Sequence, residues 1–186
     1  MIEIAANAIT TASIVLAARN SVHTWWLGVI GSILFGVTFY RAQLYADVAL
    51  QVFFIATSLM GWWHWLRGRN GTAPKVSRAA LPQLLIGVTT AAAATLGYGI
   101  LLDRFTDAYA PFVDSAVLAF SVVAQILLMQ RRVETWPVWL IVNSIAVPLF
   151  ASRGLHLTAA LYVAYWCNAW IGWYRWRHLA MRAGSA

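Results

Sequence analysis

Long apolar stretches alternate with short polar ones along the whole chain. Charged and turn-forming residues divide it into seven apolar segments, most of them close to the roughly 20 residues that a transmembrane helix needs. The longest polar stretch, residues 67–80, contains Gly, Asn and Pro and is predicted to be a loop. The pattern predicts an all-α polytopic membrane protein with seven transmembrane helices, at about residues 4–18, 24–40, 44–66, 81–102, 112–130, 136–151 and 155–177.

The composition supports this prediction and excludes several classes of protein. Of 186 residues, 61% are hydrophobic and 10% are charged, whereas a soluble domain carries about 25% charged residues. The net charge of +7 comes from too few Lys and Arg for a nucleic-acid-binding surface. The chain has one cysteine, Cys167, and no recognisable metal-ligand, nucleophile or phosphate-loop motif. We therefore expect a protein of the lipid bilayer that is not an enzyme and has no catalytic residue, metal or cofactor.

Lysine and arginine residues are divided unequally between the two sides of the predicted membrane. Ten of the 13 fall on the side that holds the C-terminus, so the positive-inside rule places the C-terminus in the cytoplasm and the N-terminus outside. Aromatic residues crowd just before Arg67 and Arg177, where most of them are expected to form an interfacial belt. They are Trp62, Trp63, Trp65, Trp173, Tyr174 and Trp176.

The beginning and the end of the chain repeat one another at an offset of 111 residues. The sequence Gly-Trp-Trp-His-Trp at 61–65 returns as Gly-Trp-Tyr-Arg-Trp at 172–176, and Thr-Trp at 24–25 returns at 135–136. Three spans reverse the direction of the chain and a fourth restores it, so the two repeats are predicted to be parallel, as in the 3+1+3 arrangement of SWEET transporters. A substrate site is expected near the midplane at the repeat interface. The predicted parts are residues 1–66 as the first repeat, 67–111 as cytoplasmic loop and connector helix, and 112–186 as the second repeat with a short basic tail.

Polar and aromatic side chains form stripes along five of the predicted spans. In hydrocarbon such groups require a partner, so a stripe indicates either a helix contact or a site. For Ser58 a hydrogen bond to a neighbouring helix is the main alternative, and Trp139 fits packing as well as binding. The large amides of Gln51 and Asn143 lie deep in their spans and favour a site. The candidate substrate-binding residues are Gln51, Ser58, Gln125, Trp136, Trp139, Asn143, Tyr162, Tyr165 and Asn168.

The chemistry of these residues favours a flat, polar ligand. Aromatic ring faces attract cations, and amides bond carboxamide and hydroxyl groups as both donors and acceptors. A nucleoside-sized molecule with a cationic ring fits these groups. No acidic or histidine residue lies near the centre of a predicted span, although proton- or sodium-coupled carriers generally need an ionisable relay at depth. We therefore expect uncoupled transport, with a non-transporting scaffold or receptor as the alternative from another class.

Several motifs resemble those of the Pnu family of vitamin transporters. They include Gln43-Leu44-Tyr45, the run Leu-Gln-Val-Phe-Phe at 50–54, and a Trp-x-x-Trp-x-x-x-Asn pattern from Trp136 to Asn143. The resemblance covers roughly residues 24–176. It implies seven-helix protomers related to SWEETs, a bacterial inner-membrane location, a homotrimer, and facilitated diffusion followed by phosphorylation of the substrate inside the cell.

The resemblance also implies a vitamin substrate. Nicotinamide riboside is the expected one, with thiamine or riboflavin as alternatives within the family. Gln51 matches the family pattern on span 3, and Trp136, Trp139 and Asn143 match it on span 6. Ser58 stands where relatives can carry Asn, and span 7, with Tyr165, Trp166 and Asn168, departs from the pattern.

Overall fold

A computed structural model describes residues 2–41, 45–67, 74–107, 109–152, 154 and 156–184, and most of these residues are helical. Over these residues there are seven α-helices. They are α1 (Ile2–Ala18), α2 (His23–Arg41), α3 (Tyr45–Arg67), α4 (Leu81–Phe105), α5 (Pro111–Met129), α6 (Thr135–Ser152) and α7 (His156–Gly184). Each coincides with a predicted span, and the largest difference is at α7, which continues seven residues beyond the predicted end. The motif residues Gln43 and Leu44 lie outside the described part.

Length and apolar composition make three of the described helices able to cross a membrane. These are α4, α5 and α6, whereas Ile4–Ala18 and His23–Thr38 are apolar but shorter. The helices end where the sequence provides residues that stop or start them. Pro82 lies at the start of α4 and Pro111 opens α5, positions where the missing proline N–H costs no helical hydrogen bond.

Packing divides the chain into two compact units. The first unit comprises Met1–Lys75 and Met129–Arg131, and the second comprises Val76–Leu128 and Arg132–Ala186. In the first, α1 packs on α2 and α2 on α3; in the second, α6 packs on α7. The connector α4 belongs to the second unit. The division into residues 1–66, 67–111 and 112–186 describes sequence repeats and stays a prediction.

The same interhelical contact occurs in both units at the 111-residue offset. In the first unit the ring of Trp25 covers Gly61 so closely that a Cβ atom on that glycine would lie 2.6 Å from the ring. In the second, Trp136 covers Gly172 with the same 2.6 Å approach. Each indole also meets a second indole edge to face, with centroids 5.2 Å apart in the Trp25–Trp65 pair and 5.4 Å apart in the Trp136–Trp176 pair. All four indoles are at most 2% exposed.

This burial corrects part of the predicted aromatic belt. Trp65 and Trp176 are interior residues of their units, whereas Trp63 and Tyr174 are 59% and 68% exposed. A run of aromatic residues at a helix end does not show which of them are buried and which face outward. Trp65 and Trp176 are buried because the glycine four residues earlier lets an indole of the neighbouring helix approach.

The turn that precedes α2 recurs before α6 in the same geometry. Asn20 and Arg131, 111 residues apart, both have φ of 55°. In each turn a backbone N–H bonds back across five residues, Ser21 to Leu16 at 3.0 Å and Arg132 to Leu127 at 2.9 Å. These bonds satisfy carbonyl groups at the end of α1 and α5 that would otherwise lack a partner.

A threonine at the start of the next helix then reaches back to the preceding one. The Thr24 hydroxyl donates to the Ser13 carbonyl at 2.9 Å, and the Thr135 hydroxyl donates to the Ala124 carbonyl at 2.8 Å. The positions again differ by 111. Backbone turn, threonine bond and indole contact therefore repeat together, which is strong evidence that the two halves share one fold.

The turn between α5 and α6 is tied to the segment that precedes α4. In the first unit the Arg131 guanidinium lies 4.1 Å from the centroid of the Trp65 ring and donates to the Pro74 carbonyl. Burial lowers the pKa of Arg131 from its usual value. In the second unit the Glu134 carboxylate accepts the Ala79 N–H at 2.7 Å. These bonds fix a connecting segment that the sequence alone presents only as a loop.

Because a Cβ at Gly61 would collide with an aromatic ring, we expect Gly61→Ala to destabilise the protein by about 1–3 kcal/mol, the usual cost of overpacking. Gly172→Ala should do the same in the second unit. Gly97→Ala is the matched control, since nothing lies within 4 Å of a Cβ there and Gly-to-Ala in a helix stabilises by up to about 1 kcal/mol. The melting temperatures of the three variants and the parent, measured by thermal unfolding in detergent, report these changes in stability. Equal melting temperatures for Gly61→Ala and Gly97→Ala would contradict the contact.

Candidate functional site

The predicted site residues are distributed over both units, and each unit presents its own set. Gln51 and Ser58 belong to α3 in the first unit. Gln125 belongs to α5, Trp136, Trp139 and Asn143 to α6, and Tyr162, Tyr165 and Asn168 to α7 in the second unit.

In the first unit, Gln51 lies at a groove of about 340 Å³ between α2 and α3. The walls are mostly aliphatic, and the helices approach closely because α2 has Gly36 there, where a Cβ would be 3.7 Å from that of Gln51. Gln51 is 9% exposed. Residues that contribute to the groove include Ser32, Gly36, Val37, Gln51, Val52 and Ile55, with Tyr40 and Arg41 toward the C-terminal end of α2.

Ser58 lies two turns further along α3 and outside this groove. It is 3% exposed, and a Cβ on Gly28 of α2 would be 3.1 Å from its hydroxyl oxygen. The hydroxyl therefore lies in the contact between α2 and α3, which favours the helix-contact alternative for this residue.

In the second unit, α6 carries a buried amide. Asn143 is 3% exposed, and its side chain makes no hydrogen bond with any residue that the structure describes. Trp139, one turn earlier, is half-buried. Trp136 lies in the paired-indole contact with Trp176, at the position that Trp25 has in the first unit, so its surroundings are those of a packing residue.

Two tyrosines of α7 lie together with one phenylalanine of α6. Tyr162 has its ring centroid 4.9 Å from Phe150 and 5.5 Å from Tyr165. Beside them Trp166 donates its indole N–H to the Ser144 hydroxyl at 3.1 Å. The predicted ring surfaces of Tyr162 and Tyr165 thus form one cluster, and Asn168 follows on the next turn, half-buried.

Three of the candidate amides share one property, the lack of a hydrogen-bond partner within the described part of the chain. They are Gln51, Gln125 and Asn143. Several hydroxyl groups of α2, α3 and α5 differ from these amides, because Thr38, Thr57 and Ser121 each donate to a carbonyl one turn back at 2.6–3.0 Å. Buried polar groups in proteins are normally paired, so amides with free donors and acceptors can bond a ligand.

Charged groups are scarce around these residues. Among the acids whose side chains are described, Asp103, Asp107 and Asp114 lie at or near helix ends and Glu134 precedes α6. No cluster of three metal-ligating side chains occurs among the described residues. The arrangement can bind a neutral or cationic molecule through amides and rings, and it offers no nucleophile–base pair.

Ser32 was not singled out by the sequence patterns, yet it lines the groove together with Gln51. The sequence repeat could have identified it, because the 111-residue offset maps Ser32 onto the candidate Asn143 and Gly28 onto the candidate Trp139. At these two equivalent positions the first unit has small residues and the second unit has larger ones.

Comparison with known proteins agrees with the fold and the motifs. The family model for the nicotinamide mononucleotide transporter matches residues 1–178. The nicotinamide riboside transporter PnuC of Escherichia coli K12 is 30% identical over 196 residues, covering 91% of this chain and 82% of that protein. The riboflavin/roseoflavin transporter RibM of Streptomyces davaonensis is 29% identical over 164 residues, covering 86% and 76%.

A PnuC from Neisseria mucosa is 26% identical over 183 residues, covering 91% of this chain and 69% of that protein. A crystal structure of the vitamin B3 transporter PnuC superimposes with a TM-score of 0.76 at 23% identity, covering 97% of this chain and 82% of that one. The predicted all-α polytopic membrane fold and the predicted family are thereby confirmed. The chain belongs to the nicotinamide mononucleotide transporter family, the Pnu transporters whose motifs it carries, and is a membrane transporter rather than an enzyme.

Proposed function

We propose that this protein transports nicotinamide riboside by facilitated diffusion. Support comes first from PnuC of E. coli, a nicotinamide riboside transporter 30% identical over most of both chains. The observation that carries the proposal is the set of unpartnered amides, above all Asn143, which is almost fully buried and has no hydrogen bond to a described residue. A carboxamide or sugar hydroxyl supplies the complementary groups.

The rings of the second unit are proposed to hold the cationic pyridinium of the substrate. Trp139, Tyr162 and Tyr165 offer aromatic faces, and ring faces attract cations without a buried carboxylate. Gln51 and Asn143 are each proposed to bond the carboxamide or the ribose hydroxyls. Gln125 and Asn168 are proposed as further contacts.

Riboflavin is the second candidate substrate. RibM, a riboflavin/roseoflavin transporter, is nearly as similar as the nicotinamide riboside transporters, and riboflavin also combines a flat ring with hydroxyl groups. Thiamine is the third. It has a cationic ring but fewer hydroxyl groups, so the amides of both units would find fewer partners on it.

Uptake of radiolabelled substrate into vesicles that contain the purified protein tests the proposal. Nicotinamide riboside should enter faster than riboflavin or thiamine, and Asn143→Ala and Gln51→Ala should each lower uptake about 10-fold or more, because an amide lost from a dry site removes one or two hydrogen bonds. Thr38→Ala, whose hydroxyl bonds its own helix at Leu34, is the control and should transport normally.

The same amides should matter little for folding. Because Asn143 has no partner within the described part of the chain, Asn143→Leu should keep or raise the melting temperature while abolishing uptake. Thr135→Val, also on α6, removes a buried hydrogen bond to the Ala124 carbonyl of α5 and should lower the melting temperature by several degrees. Normal uptake by Asn143→Leu would remove Asn143 from the site.

Facilitated diffusion predicts that uptake depends on the substrate gradient and not on protons. The described acids lie at or near helix ends, so an imposed pH gradient at zero voltage should leave the initial rate within about 2-fold. A rate that rises with the gradient would show coupling and would contradict a facilitator, even if the substrate is correct.

We further propose that the protein resides in a bacterial inner membrane with its C-terminus in the cytoplasm and its N-terminus outside. The support is the charge distribution of the sequence, in which ten of the 13 Lys and Arg residues fall on the C-terminal side. A fluorescent reporter fused after the C-terminus should be active in cells, and a periplasmic phosphatase reporter there should be inactive. The reverse pattern would invert the topology. The homotrimer implied by the family resemblance stays a prediction.

A further inference from the structure

The last helix is longer than a membrane span. α7 has 29 residues, so at about 1.5 Å per residue it measures about 43 Å, whereas the hydrocarbon core of a bilayer is about 30 Å thick. α6 ends at Ser152 and α7 begins at His156, so the start of α7 lies close to the membrane surface. The surplus length therefore falls at the other end, and the residues from about Arg175 onward lie in the head-group region.

The part of α7 that reaches this region is basic and has no acidic residue. It carries Arg175, Arg177 and Arg182, and Glu134 is the last acidic residue of the chain. Arg175 and Arg177 are exposed, and neither makes an ion pair or a hydrogen bond with a described residue. Because a guanidinium bonds phosphate oxygens strongly, this unmatched charge indicates an anionic partner that carries phosphate.

An aromatic ring one turn earlier holds the side chain of Arg177. The guanidinium lies over the Trp173 ring, 5.5 Å from its centroid, which is a cation–π contact. Such a contact attracts the guanidinium through its charge and does not use its N–H groups as donors to an oxygen. The donors of Arg177 therefore remain available to a phosphate group.

The same side of α7 offers an apolar surface deeper in the membrane. Trp170 lies just before Trp173, with the two ring centroids 5.1 Å apart, and it is 44% exposed. Positions 170, 173 and 177 follow the three- and four-residue spacing of one helix face, whereas the buried residues Gly172 and Trp176 lie on another. The exposed face thus places two indoles at the level of the lipid chains and Arg177 at the level of the head groups.

The scaffold that the two units share does not require this arginine. At the 111-residue offset, Trp173 corresponds to Trp62 and Arg177 to Leu66, which is 56% exposed. The first unit forms its indole–glycine contact without a cation at that position. The pair of Trp173 and Arg177 is therefore specific to the second unit, and packing within that unit does not explain it.

We propose that Trp170, Trp173 and Arg177, the α7 lipid surface, bind an anionic phospholipid of the surrounding bilayer. The Arg177 guanidinium bonds the phosphate group, and an acyl chain lies along the two indoles. Arg175, elsewhere on the same turn, adds to the positive potential that attracts a lipid with a net negative charge. The surface lies apart from the candidate substrate-binding residues and does not depend on which vitamin is transported.

Lipid binding to the intact protein tests this assignment. The purified protein in detergent is titrated with phosphatidylglycerol or with phosphatidylcholine, and bound lipid is counted by native mass spectrometry. The parent should bind phosphatidylglycerol more tightly, and Arg177→Gln should weaken that binding about 5-fold, the effect of one basic residue near an anionic membrane surface. The matched control is Arg104→Gln, since Arg104 is an exposed arginine at the end of α4 with Asp103 beside it. It should bind as the parent does.

Two further variants separate the charge from the ring that holds it. Trp173→Leu keeps an apolar side chain but removes the cation–π contact, so it should weaken phosphatidylglycerol binding at least about 2-fold. Arg177→Lys keeps the charge and loses the planar donor group, so its affinity should fall between those of the parent and Arg177→Gln. Melting temperatures in detergent without added lipid should match the parent's, because Arg177 bonds no described residue. If Arg177→Gln does not fold, the comparison of Arg177→Lys with the parent decides.

Three results would overturn the proposal. The first is equal affinity of the parent for the two lipids, and the second is an equal loss in the Arg177 and Arg104 variants. The third is displacement of phosphatidylglycerol by millimolar inorganic phosphate alone, which would show that the surface binds a free anion and not a lipid.

Discussion

Both halves of this protein depend on a single contact, an indole ring lying against a glycine of a neighbouring helix. Trp25 on Gly61 and Trp136 on Gly172 approach so closely that any side chain at the glycine would enter the ring. Each indole is held from another side by a second indole, edge to face. In a bilayer the hydrophobic effect does not drive helices together, so close packing at small residues supplies much of the association energy. The turns and threonine bonds beside this contact repeat with it, and they fix where the following helix begins.

The indole contact, the threonine bond and the turn occur in both units, and positions outside these contacts differ between the units. The pairs Gly28 and Trp139, Ser32 and Asn143, and Ile55 and Trp166 occupy equivalent places in the two units. None of them takes part in the indole contact or in the threonine bonds, so exchanging small for large residues does not disturb what the units share. The first unit keeps an open groove with a hydroxyl and an amide, while the second gathers rings around Tyr162.

The fold could be predicted from the sequence to within a few residues at most helix ends, because apolar length and turn residues act locally. The offset of 111 residues also predicted which positions would be equivalent. What the sequence could not provide was the burial of individual aromatics: Trp65 and Trp63 are two residues apart, and one is 2% and the other 59% exposed. Their exposure differs because Trp65 lies on the face of α3 that packs against Trp25, whereas Trp63 lies on another face. For the same reason the sequence could not show that the Ser58 hydroxyl lies beside Gly28, or that Ser32, which the repeat maps onto Asn143, lines the groove with Gln51. The site role of Ser58 stays a prediction.

The amides without a partner among the described residues, such as Asn143, lie at positions outside the contacts that the two units share. A polar side chain inside a membrane protein destabilises the fold unless it is paired, and the hydroxyl groups of Thr38, Thr57 and Ser121 avoid that cost by bonding their own backbone. Asn143 makes no hydrogen bond with a described residue, while the indole contact and the Thr135 bond elsewhere on α6 hold that helix against its neighbours. In the proposed function, a substrate that bonds the Asn143 amide would supply the hydrogen-bond partner that the described residues do not.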